Sequence, residues 1–167
     1  MDLYLLRHAT AVEIGAPNVA RDADRYLSKE GVAEMEEAAK GIRRMADDFE
    51  VILTSPFPRA RQTADIVAKE LGLAKTVKAV ARLEAGASPK DIMEAAQANA
   101  GRGPVMIVGH NPELEETISA CACPKGQMNA NLKKGGLAVI RFDPDFRLGA
   151  GQLIALLTCK HLRMMGK

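Results

Sequence analysis

The sequence predicts an α/β fold: a three-layer sandwich with a mostly parallel central sheet, helices on both faces and an antiparallel edge. Three observations carry this. Short apolar runs alternate with amphipathic stretches over most of the chain, the pattern of βα units that build parallel sheets. The last two β-like runs instead flank the single turn Asp143-Pro144-Asp145, which makes them an antiparallel pair. At 167 residues the chain has the length of one ordinary domain.

In chain order, Leu3–Leu6 is a short buried strand preceded by Asp2. After a loop, a helix spans about Lys29 to Asp47. Ser28 is placed to cap it, and Val32, Met35, Ala39, Ile42 and Met45 step by three or four. Val51–Leu53 is a second strand. Pro58 suits a first helical turn, and the helix it opens runs to about Leu71, with Ile66, Val67 and Leu71 inward and Gly72 as its stop. Thr76–Val80 is a third, β-branched strand. Ser88-Pro89-x-Asp91 combines a hydroxyl cap, a proline at the first position and an acid in the first turn, and its helix carries Ile92, Met93 and Ala96. Pro104–Val108 is a continuous apolar run suited to a central strand. Asn111-Pro112-Glu113 opens a helix to about Ala122, and Leu137–Phe142 and Leu153–Thr158 form the antiparallel pair.

Composition narrows the functions. Hydrophobic residues at 47% and charged residues at 26% exclude intrinsic disorder. No apolar run approaches the roughly 20 residues of a membrane span, and Met1–His8 lacks the pattern of a signal peptide. A net charge of +2 is too small to draw nucleic acid or anionic lipid by bulk attraction, and Tyr 2, Phe 4 and no Trp leave little for base stacking. Cys121, Cys123 and Cys159 are odd in number, which speaks against a disulfide framework and for a reducing cytoplasm. They read as small buried hydrophobes. No Asp/His cluster has a convincing metal spacing, so neither metal nor other cofactor is expected.

The chemistry concentrates at strand ends. The first strand delivers Arg7-His8, the second Thr54-Ser55-Pro56 and then Arg59, and the fourth Gly109-His110-Asn111. Two of the three histidines therefore follow a strand directly. In open parallel sheets ligands bind outside the carboxyl ends of the strands. These residue types suit a phosphoryl group, whose charge is spread over three oxygens during transfer. Arginine forks bind such oxygens in pairs and stay charged. The helix N-termini after Pro58 and Asn111 add N–H donors. A neutral imidazole can attack phosphorus and give an N-phosphoryl intermediate for water to hydrolyse.

Leu5–Ala9 (LLRHA), Thr54–Ala64 (TSPFPRARQTA) and Val108–Pro112 (VGHNP) resemble the histidine phosphatase superfamily, the phosphoglycerate mutase-like proteins, in order and spacing across most of the chain. The short length and the run Asp22–Gly31 (DADRYLSKEG) are most similar to its SixA-type branch of phosphohistidine phosphatases. The resemblance implies a phosphoglycerate mutase-like fold, with residues 1–167 as one histidine phosphatase domain. It makes His8 the nucleophile, Arg7 and Arg59 the phosphate-clamping arginines and His110 the second histidine, which donates to phosphoryl oxygens. Ala9 departs from the glycine of many members; alanine fits unless that backbone needs positive φ. In larger relatives a carboxylic acid protonates the leaving oxygen. Glu84, in Arg82-Leu83-Glu84-Ala85-Gly86, lies in the corresponding region, but SixA-type proteins often lack this acid, and its alternative is a solvated loop residue.

The intervals between motifs leave no room for a capping insertion. This points to an open, shallow pocket, suited to a phosphorylated side chain on a protein such as a histidine phosphotransfer domain in signal transduction. A small phosphate ester, and hence a small-molecule phosphomonoesterase, is the alternative within the superfamily. A non-catalytic docking module for phosphorylated proteins is the alternative outside catalysis. Arg61 reads as solvated or salt-bridged. Asp22, Asp24 and Arg25 form a charged loop, either solvated or shaping the pocket rim, and His161 lies in a basic tail.

Overall fold

The computed structural model describes residues 1–46, 48–123, 125 and 127–167. Six strands form one sheet: β1 (Asp2–Arg7), β2 (Val51–Thr54), β3 (Val77–Ala79), β4 (Val105–Gly109), β5 (Leu137–Phe142) and β6 (Gly151–Leu157). Their order across the sheet is β3-β2-β4-β1-β5-β6. The pairings from β3 through β1 are parallel, and β5 runs antiparallel to both β1 and β6. The expected antiparallel edge thus begins at the β1–β5 pairing, one strand nearer the centre than the hairpin alone implied.

Side chains alternate across the strands, and this builds two cores. Leu3, Leu5, Val51, Leu53, Val105 and Ile107 face Ile92 and Met93 of α3 (Pro89–Asn99) and Leu114 and Ile118 of α4 (Glu113–Ala122). Tyr4, Leu6, Ile52, Met106 and Val108 face Met35 and Ile42 of α1 (Lys29–Met45), Ala64 and Val67 of α2 (Pro58–Leu71) and Leu162 of α5 (Cys159–Met165). The central strands lie between both layers, which is why they read as unbroken apolar runs.

The helix signals act as their chemistry requires. Ser28 accepts the Gly31 N–H at 3.0 Å, Ser88 and Asp91 form a reciprocal capping box, and Gly72 closes α2 with a left-handed φ of 72°. Helix α1 ends at Met45; Asp47, the last residue of the expected span, lies outside the described residues. The basic tail is itself a helix. In α5, Thr158 accepts the His161 N–H and the His161 ring accepts from the Thr158 N–H, while Leu162 is fully buried against α1. Arg163 fixes α5 to α1 through Glu34 and Glu37, at 2.8 and 2.7 Å. His161 is exposed. Cys121 is fully buried as a small apolar residue, whereas Cys123 and Cys159 are only half-buried. No helix among the described residues is long and apolar enough to cross a membrane.

Connections leaving the neighbours β1 and β4 pass over opposite faces, the first through α1 and the second through α4. The crevice of a doubly wound sheet opens at such a point, beyond the carboxyl ends of the strands.

Candidate active site

Register sets the site. Leu6 and Thr54 both pair with Val108, so Arg7-His8, Ser55 and Gly109-His110 leave the sheet on one edge. Backbone bonds join these exits: His8 N–H to the Gly109 carbonyl and Ser55 N–H to the Val108 carbonyl, both at 3.0 Å. Thr63, one turn into α2, is fully buried. It donates to the Arg59 carbonyl at 2.7 Å and accepts the Ala9 N–H at 3.1 Å, tying the first turn of α2 to the residue after His8.

The structure brings four of the five expected site residues together around His8. Its Nδ1 lies 2.8 Å from the Ala9 carbonyl. A carbonyl only accepts, so Nδ1 carries the proton and Nε2 keeps its lone pair. Consistently, the Arg59 Nε–H points at Nε2 from 3.2 Å. Burial, with the nearby His110, Arg59 and Arg7, drives the His8 pKa down to about 3, opposed by the Ala9 bond. The imidazole is therefore neutral throughout the physiological range.

The His110 ring lies 5.2 Å from that of His8, tilted by 57°, and also 5.2 Å from the Phe57 ring. Its Nε2 pairs with the Ser55 hydroxyl at 2.9 Å. Its Nδ1 is buried with no hydrogen-bond partner among the described residues, as is the Nε of Arg7. Burial and the Arg59 charge lower the His110 pKa to about 4. Arg7 Nη1 donates to the Leu132 carbonyl at 3.0 Å, and burial lowers its pKa, opposed by Glu115. Arg59 is only 4% exposed and sits 5.4 Å from the centre of the Phe57 ring, within cation–π range.

Glu84 is not part of this group. It caps the short 3₁₀ turn Ala81–Leu83, is exposed, and makes no side-chain hydrogen bond with His8, Arg7, Arg59 or His110. Its loop is tied to α4 through Gly86, whose N–H donates to the carboxylate of the buried Glu113. Arg61 pairs with Asp65 on the solvent side of α2 at 2.9 Å, away from the ring of cations, as expected. Ala9 fits without strain, since Asn18 is the one non-glycine residue with positive φ among those described. No group of three or more His, Cys, Asp or Glu among the described residues is arranged to hold a metal ion. A hollow of about 500 Å³ where α1 meets α2, lined by Glu36, Lys40, Asp65, Ile66, Lys69 and Glu70, includes none of these strand-end residues.

Residue-by-residue reading did not single out Ser55, Phe57 or Thr63, although all three stand within the Thr54–Ala64 motif. It left Asp22 open. The structure places Asp22 on Arg59, with the carboxylate 2.8 Å from Nη2 and the backbone carbonyl 2.6 Å from Nη1.

The arrangement is a neutral histidine with an aimed lone pair, a second histidine and two arginines at the switch point of a phosphoglycerate mutase-like sandwich. The sequence profile of the histidine phosphatase superfamily (branch 1) matches residues 3–85. A protein histidine phosphatase SixA complexed with tungstate is similar in structure, with a TM-score of 0.82 and 22% identity over 97% of this chain and 99% of that one. The Agrobacterium tumefaciens protein assigned as phosphohistidine phosphatase SixA has a TM-score of 0.73 and 28% identity over 94% and 97% of the two chains. An uncharacterized protein of Picosynechococcus sp. is 34% identical over 148 residues, 84% of this chain and 85% of its own. The chain belongs to the histidine phosphatase superfamily, and SixA proteins are among the structures it resembles. Phosphatase chemistry comes with that membership.

Proposed function

We propose that the protein removes phosphoryl groups from phosphohistidine on a signalling protein, without a metal, through a phosphohistidine intermediate on His8. The observation that carries this reading is the fixed tautomer of His8: Nδ1–H is bound to the Ala9 carbonyl and the Nε2 lone pair is directed at a guanidinium. A structural histidine at a strand end has no need of an unprotonated nitrogen inside a ring of cations.

In the first step the Nε2 lone pair forms an N–P bond as the bond from phosphorus to the substrate imidazole breaks. The departing imidazole takes a proton from solvent. In the second step water attacks phosphorus, the His8 N–P bond breaks, Nε2 recovers its lone pair and the water proton returns to solvent. Arg7, Arg59 and His110 stabilise the charge on the three phosphoryl oxygens through both steps. An oxygen leaving group needs more help than an imidazole does. For such a group the one acid the sequence offered, Glu84, stands exposed in the loop after β3 and makes no bond to the residues around His8.

The named SixA relatives support phosphohistidine as substrate, and the short connections between the site-bearing elements support a protein-borne one. The test compares kcat/KM for a phosphohistidine protein, sugar phosphates and a phosphotyrosine peptide in EDTA, with His8→Ala as control. The phosphohistidine protein is expected to lead, and His8→Ala to abolish turnover. A sugar phosphate in the lead makes the protein a small-molecule phosphomonoesterase. Tight phosphate binding by both proteins with turnover by neither makes it a docking module.

A further inference from the structure

We infer that Asp22 is the positioning residue for Arg59 in phosphoryl transfer, an inference that rests on Arg59 acting as a phosphate clamp. A guanidinium has two donor edges: an end-on fork made of Nη1 and Nη2, and a side-on pair made of Nε–H and the second N–H of Nη2. Asp22 takes the end-on fork. Its backbone carbonyl accepts from Nη1 at 2.6 Å and its carboxylate from Nη2 at 2.8 Å. The side-on edge is thereby left facing His8, with Nε–H on the His8 Nε2 lone pair at 3.2 Å. A phosphoryl group arriving at Nε2 meets that edge without any turn of the arginine.

Asp22 is itself held. Its other carboxylate oxygen accepts from Arg25 Nη1 at 3.1 Å, and Arg25 is anchored by its Nε–H to the Val12 carbonyl. The Arg25 carbonyl accepts the Arg59 N–H at 3.2 Å, so the same loop grips Arg59 by side chain and by backbone. The ion pair also matters electrostatically. Arg59 is 4% exposed while the Asp22 side chain is 51% exposed, so a cation buried beside two histidines has its counter-charge at the rim, on the face away from the reacting nitrogen. Burial works against ionisation of Asp22, but Arg25 and Arg59 outweigh it and hold the carboxyl below its usual range. Asp22 therefore stays an anion near neutral pH. It is suited to orient an arginine and not to give up a proton.

A double-mutant cycle on aryl phosphate hydrolysis tests this. Asp22→Ala is expected to lower kcat by roughly 10- to 100-fold, the range for misplacing a reacting group's clamp, with KM changed far less. Asp22→Asn keeps an oxygen that accepts from Nη2 and is expected to restore activity to within about fivefold of wild type, since a neutral bond is weaker than a charge-assisted one. In an Arg59→Ala background, Asp22→Ala should cost less than about twofold, because the group it positions is gone. An equal cost of Asp22→Ala in both backgrounds would show that Asp22 acts on the loop and not through Arg59, and overturns the inference while leaving the clamp intact. If Arg59→Ala itself loses nothing, the clamp assignment fails and this inference falls with it.

Discussion

Replacing Ser55 by alanine removes one oxygen atom and should disturb both folding and catalysis. Ser55 is fully buried, and its Oγ meets His110 Nε2 at 2.9 Å and accepts the Phe57 N–H at 3.3 Å. Alanine offers neither bond. Since His110 Nδ1 already has no partner among the described residues, the imidazole would lose its only side-chain hydrogen bond. A buried polar group left unpaired costs about 1–3 kcal/mol, and the long Phe57 contact belongs at the low end, so the sum is about 2–4 kcal/mol. For a domain of this size that lowers Tm by about 4–16 °C. The ring remains packed between Phe57 and His8, so kcat should drop roughly 10-fold, less than the 10²–10³ expected for losing a preorganised donor altogether. Thermal and urea unfolding read the first effect, and aryl phosphate turnover well below Tm reads the second. A Tm within about 1 °C of wild type together with an unchanged kcat would refute the idea that Ser55 holds His110.

Four further outcomes follow from the structure. Acidification should weaken folding between about pH 6.5 and 4: the unfolded chain protonates its imidazoles there while His8 and His110, lowered to about 3 and 4, stay neutral. Each such proton gives a slope of up to about 1.4 kcal/mol per pH unit. Urea titrations at several pH values read that slope, and a His110→Asn variant should flatten it. On activity, His8 should contribute no acid limb to the kcat/KM profile above pH 5. Arg59→Ala should lose about 10²–10³ in kcat, whereas Arg61→Ala, which breaks only an exposed pair, should keep kcat and change stability by less than about 0.5 kcal/mol. Gly41→Ala would drive a methyl group into the Leu162 backbone carbonyl where α5 crosses α1, with a cost of about 1–3 kcal/mol in urea unfolding.

The parts of the fold that were legible are those whose burial is uniform. β1, β2 and β4 lie between two helical layers, so no polar residue interrupts them, and their ends could be placed to within a residue or two. β6 begins at Gly151, two residues before the expected Leu153, because a glycine packed against Ile140 and Phe142 carries no apolar signal of its own. α5 was missed for a similar reason. Of its seven residues only Leu162 is buried, which is too little to show a helical period, though Thr158 three residues before His161 was a visible cap. At the site, His8, His110, Arg7 and Arg59 stood out because they follow strands. Their partners did not. The Asp22 contact spans 37 residues and the Ser55 contact 55, and such pairings are decided by the register of β2 on β4 and by how the loop before α1 meets α2, not by any local pattern. Glu84 shows the reverse case: a local position that looked suitable, in a loop that leaves its side chain in solvent.

The row of residues Leu6, Thr54 and Val108, aligned by two parallel pairings, has a kinetic consequence. His8, Ser55 and His110 reach one another only after three strands distant in the chain have found register, and such long-range pairing is slow to form. No early hairpin or isolated helix can bring the two imidazoles within reach. During renaturation from urea, the recovery of turnover should therefore trail the return of helical circular dichroism and coincide with the last protection of the central amides.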